Sequence, residues 1–163
     1  MYYLNNFFLF SFVGFILESI INLILDHKLD SGFLNIPFTP VYGLGIVVII
    51  LINKVLDRYK INKKAILTFV LNTLFLTLIE FLGGTTLQLI FHKDYWNYSG
   101  LPLHIGKYIS IEISILWGFL SLLYLYKIKN KCDKIIKKIP SYITYGCLII
   151  FIIDLFFIIF KIL

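Results

Sequence analysis

Charge is what this sequence has least of. Only 15% of its 163 residues are charged against 60% apolar, and a mean hydropathy of +0.90 lies outside the usage of soluble domains. A chain so composed cannot clothe itself in a water-facing surface. Cysteine is scarce as well. Cys132 falls in a basic stretch and Cys147 inside an apolar run, which excludes a disulfide framework, and no spacing of Cys or His suits a metal ion. Also missing are a Walker-type phosphate loop, a low-complexity tail and an internal repeat. No cofactor is called for, and any energy from ATP would come from another polypeptide. The amino terminus has neither a basic region nor a small-residue cleavage site after its first apolar run, so the expectation there is a retained helix and not a removed signal.

What the chain does have is long apolar segments. A run of roughly 20 apolar residues crosses a hydrocarbon core of about 30 Å. Five runs qualify, at 7–25, 37–56, 65–91, 105–126 and 142–163. The fold class that follows is all-α, a single transmembrane domain of about five helices. The second span is the least regular. Its aliphatic stretch from Ile46 to Ile52 is short, and Pro40, Gly43 and Gly45 precede it, which points to partly re-entrant backbone that protein or a wet cavity must cover.

The net charge of +6 does not signal nucleic acid. Of the 15 basic residues, Lys54, Arg58, Lys60, Lys63 and Lys64 lie between spans two and three, and Lys127, Lys129, Lys131, Lys134, Lys137 and Lys138 between spans four and five. Two basic loops on the same side are topology determinants that face anionic lipid in the cytoplasm. The amino terminus is then expected inside.

That orientation fixes the depth of each intramembrane acid from the rise per residue. Glu18 and Glu112 come out about 10 Å from the outer side, Asp154 about 13 Å and Glu80 about 16 Å. A carboxylate facing lipid at helix centre is disfavoured by about 3 kcal/mol, so these acids are expected to face one another, a cation or water. Small and polar stripes support this. Ser11, Gly14, Glu18 and Asn22 share one face of span one, and Thr73, Thr77, Glu80, Gly84 and Gln88 one face of span three. Span four offers Lys107, Ser110, Ser114, Gly118 and Ser121. Glu112 lies about 140° from Lys107 and off that stripe. Close helix packing is the competing reading of the Gly and Ser positions. For the acids it is a buried ion pair, with Lys107 expected to meet Glu18 or Glu80.

The two expected outer loops, 31–43 and 94–107, are rich in proline, glycine and aromatic residues. Such loops are shaped, and are expected to fold down on the bundle. Tyr42, Trp96, Tyr98, Ser99 and His104 join Glu18, Glu80 and Lys107 as candidate binding residues. His27 and His92 sit at span ends and read as solvated.

These loops with their flanking helices carry a resemblance. The GFILE run at 14–18, GFLNIPFTPVYG at 32–43, Glu80, WNYS at 96–99, Gly106 and Lys107, then Ser114, Trp117 and Gly118 resemble the bacterial ABC-transporter type IV family, the CmpB-like membrane proteins. The likeness runs in order from about residue 7 to 120. It implies a permease-like protein of the bacterial cytoplasmic membrane, partnered by the lipid bilayer and by a separate ATPase subunit or a second copy of itself. The family pattern has Arg at Ser31, Gly at Ile36, Cys at Thr39, Asp at Asn97, Asn at His104 and Arg at Lys107. The changes at Asn97 and Lys107 imply a softened ion pair, since Lys keeps charge without a bidentate fork. A membrane-embedded enzyme acting on a lipid-linked substrate at the outer leaflet is the alternative, with Glu18, Glu80 or Glu112 as base, His104 as acid or metal ligand and Lys107 as phosphate clamp. No nucleophile motif supports it. A non-catalytic partner subunit is a third class.

Overall fold

The computed structural model describes residues 1–27, 32–59 and 63–162. Ser31, at the head of the first loop, and Lys60 lie outside the described residues. Five helices among the described residues are long and apolar enough to cross a membrane. They are α1 (Tyr2–Asp26), α2 (Pro40–Arg58), α3 (Lys64–Phe91), a run from Ile111 to Ile136, and α6 (Ser141–Ile162). The fourth run is α4 (Ile111–Leu123), a π turn (Tyr124–Ile128) and α5 (Lys129–Ile136), without a break. A two-residue hairpin precedes it, with β1 (His104–Ile105) paired antiparallel to β2 (Ile109–Ser110).

Two boundaries differ from the sequence expectation for physical reasons. Span four begins at Ile111 and not at 105, because residues 104–110 spend their backbone groups on the hairpin and Ser110 caps the helix by accepting from the Ile113 N–H at 3.4 Å. Glu112 thus sits in the first helical turn. Four of the six lysines assigned to the following loop, Lys127, Lys129, Lys131 and Lys134, are on the helical run, where Lys129 pairs with Asp133 at 2.5 Å.

Burial is inverted relative to a soluble protein. The largest fully buried side chains are Asn6, Asn72, Thr68, Ser11, Ser110 and Ser121, while Ile24, Leu89 and Phe160 are each about two-thirds exposed or more. Hydrocarbon solvates Leu and Phe as well as a protein core does, so small and polar residues are left to make the helix contacts.

The helices group into two compact units, Met1–Leu44 with Lys134–Leu163, and Gly45–Asp133. In the first, α1 and α6 pair through an Asn5–Thr144 hydrogen bond and the rings of Phe7 and Phe8 against Phe151. Residues 32–39 run back along them. Thr39 N–H donates to Ser11 O at 2.9 Å, and Ser11 is 15 residues from Asp26, about 22 Å along α1. This irregular backbone precedes span two, whose Pro40, Gly43 and Gly45 lie inside regular α2 and not in the re-entrant stretch expected there. Within residues 32–39, Asn35 N–H and Nδ2 donate to the two carboxylate oxygens of Asp154, each at 3.0 Å, Phe38 N–H donates to Ile36 O at 2.7 Å, and Pro37 has no N–H to satisfy. Gly14 and Gly43 allow the close approach. A side-chain carbon at Gly14 would fall inside the Tyr42 ring, and one at Gly43 would strike Ser11 and Phe7.

In the second unit α3 packs on α4. Gly118 admits Thr73 and Phe69, and Asn72 Nδ2 donates to Ser121 Oγ at 3.0 Å. The buried face of α3 is Thr68, Asn72, Leu76, Glu80 and Gly84, so Glu80 and Gly84 belong to the expected stripe while Thr68 and Asn72 extend it.

Candidate functional site

The site is assembled on the second unit from Glu80 and the segment between α3 and α4. α3 stops at His92, whose left-handed backbone (φ 53°) turns the chain back while its N–H donates to Gln88 O. The segment then ties its own turns: Ser99 N–H donates to Asn97 Oδ1 at 2.9 Å, Tyr98 N–H to Lys107 O at 2.7 Å and Leu101 N–H to Tyr98 O at 2.9 Å. Gly106 (φ 65°) supplies the positive φ of the hairpin turn.

So shaped, the segment lies down on α3. A side-chain carbon on Gly84 would come within 2.6 Å of the Tyr108 ring and 3.2 Å of Trp96, and one on Gly83 within 3.3 Å of Trp96. The paired glycines are the bare patch on which these aromatics rest, and Trp96 meets Tyr108 edge to face at 6.3 Å. One turn below, the Tyr98 hydroxyl donates to Glu80 Oε1 at 2.8 Å. Glu80 is buried. Its Oε2 has no hydrogen-bond partner among the described residues, and Trp117 is the other side chain acting on the carboxylate.

Lys107 does not meet Glu80. It pairs with Asp94 at 3.0 Å, and the Tyr108 hydroxyl donates to the other Asp94 oxygen at 2.5 Å. The expected pairing of Lys107 with Glu18 or Glu80 is therefore corrected. Lys107 precedes the helix, half its side chain is exposed, and an acid in the same loop lies closer than one within the span. The Tyr108 hydroxyl and Lys107 hold the Asp94 carboxyl below the usual range, and Asp94 pushes the Tyr108 phenol up to about 12.

The remaining candidates separate. Glu112 accepts from Ser110 Oγ at 2.7 Å and from Leu103 N–H at 3.1 Å, fastening the hairpin to the positive end of α4. His104 is exposed, its Nδ1 against Leu101 O at 2.8 Å, and Ser99 is exposed in its turn. Glu18 and Tyr42 belong to the first unit, Glu18 half-buried one turn beyond Gly14 and Tyr42 over that glycine. The structure thus groups Glu80 with Tyr98, Trp96 and Trp117. Sequence reasoning missed Asp94 and Tyr108 as its fasteners. The signal was present: Asp94 and Lys107 bracket the loop as opposite charges, and Gly83 with Gly84 follow Glu80 by one turn.

A family model described as Putative ABC-transporter type IV matches residues 5–160, a stretch that takes in both units and both loops. No curated protein and no solved structure matches the chain.

Proposed function

The chain belongs to the ABC-transporter type IV family, and from that premise we propose that it is a permease-like membrane protein, a transporter or transporter component, in which Glu80 binds the solute beneath a lid formed by Tyr98 and Trp96. One observation carries this reading. Glu80 is a buried carboxylate in a membrane-crossing helix with no cationic side chain paired to it among the described residues. Left so, it costs about 3 kcal/mol on insertion scales, and acids kept at that cost mark substrate or ion pathways. Two other acids of the spans are held by hydrogen bonds, Asp154 by Asn35 and Glu112 by Ser110 and Leu103.

The basic residues at the other ends of α2 and α3 support an extracytoplasmic position for the lid. A solute entering from that side would displace the Tyr98 hydroxyl from Glu80 and move the aromatics off the glycine platform. Since the sequence has no nucleotide-binding motif, ATP hydrolysis would fall to a separate subunit. A proton or ion gradient would dispense with it.

The test is electrical. Purified protein in vesicles on a solid-supported membrane is exposed to concentration jumps of ammonium, methylammonium, sodium and neutral amino acids. At least one should evoke a current that Glu80→Gln removes. If the whole panel gives no more current than protein-free vesicles, or if Glu80→Gln leaves the current intact, the assignment fails.

A further inference from the structure

Most of the buried polar atoms without a partner among the described residues lie in one place. Thr68 Oγ1, Asn72 Oδ1, Thr73 Oγ1 and Glu80 Oε2 all belong to α3, and Trp96 Nε1 lies in the lid above Glu80. Thr68 and Asn72 are wholly buried and Glu80 is 7% exposed. Buried polar atoms in proteins are almost always satisfied, by protein or by ordered water. Scattered exceptions carry little meaning, but four on one helix, each within two turns of the next, form a file, which passes Leu76 on the buried face by way of Thr73.

The file has a direction and two ends. From Thr68 to Glu80 is 12 residues, about 18 Å of the roughly 30 Å of a hydrocarbon core. Thr68 is one turn from Lys64, which pairs with Asp57 at the basic end of the unit. Asn72 and Thr73 both meet α4, at Ser121 and Gly118, so this stretch lies in a helix contact and not on the lipid side. Between Thr73 and Glu80 stands Thr77, whose hydroxyl donates to Thr73 O at 2.7 Å and can still accept from a neighbour. At the far end Glu80 passes to the Tyr98 hydroxyl, which belongs to the half-buried lid.

We infer that this face of α3 is a hydrated file that carries protons between the basic end of the unit and Glu80. Water and the hydroxyls of Thr68 and Thr73 both donate and accept, so a proton arriving at one end is matched by one leaving at the other once these groups turn back, with Thr77 accepting from a water beside it, and Glu80 is the group that holds the proton. The Asn72 side chain only accepts, through Oδ1, its Nδ2 being fixed by Ser121, so it orients a water of the file and does not itself pass the proton. The inference deepens the proposed role of Glu80 and rests on it, naming the proton as the ion that the site exchanges.

Two measurements on the full-length protein test it. In vesicles with an internal pH dye and a potassium diffusion potential, the protein should raise proton uptake above that of protein-free vesicles. Glu80→Gln should abolish the rise, and Thr68→Val and Asn72→Leu should each reduce it about tenfold or more, while Leu74→Ala on the exposed face should not change it. The isosteric Thr68→Val guards against an Asn72→Leu protein that fails to fold. In a Cys132→Ser, Cys147→Ser background, thiols introduced at 68, 72 and 73 should react with aqueous silver ion much faster than thiols at 70 and 74. Equal reactivity at both sets overturns the file, as does reactivity without proton uptake. Sodium or potassium flux by the same route overturns the assignment to protons. Unreactive thiols alongside a Glu80-dependent solute current would remove the file and leave the proposed function standing.

Discussion

Each unit of the molecule folds a proline- or glycine-shaped segment back onto an acid within a membrane-crossing helix, and the two acids are treated differently. Asp154 meets Asn35 with both oxygens, accepting a backbone N–H and a side-chain amide at 3.0 Å each. Glu80 meets Tyr98 with one oxygen at 2.8 Å and keeps the other without a partner among the described residues. A carboxylate that completes the hydrogen bonds of irregular backbone is structural, since nothing else at that depth could satisfy the segment. The one that keeps an oxygen without a partner among the described residues, beneath the Tyr98 hydroxyl, is the acid proposed to bind. Burial alone does not separate them, as both are 7% exposed.

Removing each acid is the strongest way to break that comparison. Asp154→Ala should destabilise the protein by about 2–4 kcal/mol, because it strands two donors of the irregular segment. Glu80→Gln should cost under about 1 kcal/mol, because an amide oxygen still accepts from Tyr98. Denaturant unfolding in detergent reads both. Equal losses would erase the distinction between a structural acid and one proposed to bind.

The glycine platform beneath Trp96 and Tyr108 comes next. Gly84→Ala places a methyl 2.6 Å from the Tyr108 ring, where overpacking should cost about 1–3 kcal/mol and expose Trp96 to aqueous iodide in a Trp117→Phe background. Gly100→Ala meets nothing within 4 Å and should leave both stability and quenching unchanged. If Gly84→Ala matches it, the lid does not rest on that glycine.

A smaller effect is expected at Lys107. Its pair with Asp94 is more than half exposed on the lysine side, where solvent screens it. In double-mutant cycles Lys107→Met should couple to Asp94→Asn and add independently to Glu80→Gln. Coupling to Glu80 would restore the pairing that the structure replaces.

The smallest effect is the response of the lid fastener to pH. Asp94 is depressed below its ordinary value near 4, so its contribution is present above that value and is lost as pH falls through the lowered one. Tyr108 is raised, so its contribution is full below about 10 and is lost as pH rises toward about 12. Trp96 emission should therefore be flat between these limits and shift beyond each. A transition near neutrality would mean that another group holds the lid.

Much of this was legible in the residues. Five apolar runs, the basic stretches and the acids within the spans all follow from composition and period, because hydrocarbon permits few alternatives; the irregular backbone was expected at Pro40, Gly43 and Gly45 and lies before them, at 32–39. Glu80, Trp96 and Tyr98 could be named as site candidates, since a lone acid in a span and an aromatic loop are unusual. The partners were harder to name. Lys107 offered charge and reach to any nearby acid, and only the hairpin at Gly106 turns it toward Asp94. Nothing in spacing links Asn35 to Asp154, 119 residues away.

The sequence by itself thus determined that this protein crosses a membrane, how many times, and which side chains could not be left in lipid, because transfer free energies act on each residue wherever it packs. Tertiary structure decided which of those side chains are satisfied and which remain open. Hydrogen bonds need donor and acceptor within about 3 Å, and that proximity exists only after residues 32–39 have run back along α1 and the segment after α3 has settled on Gly83 and Gly84.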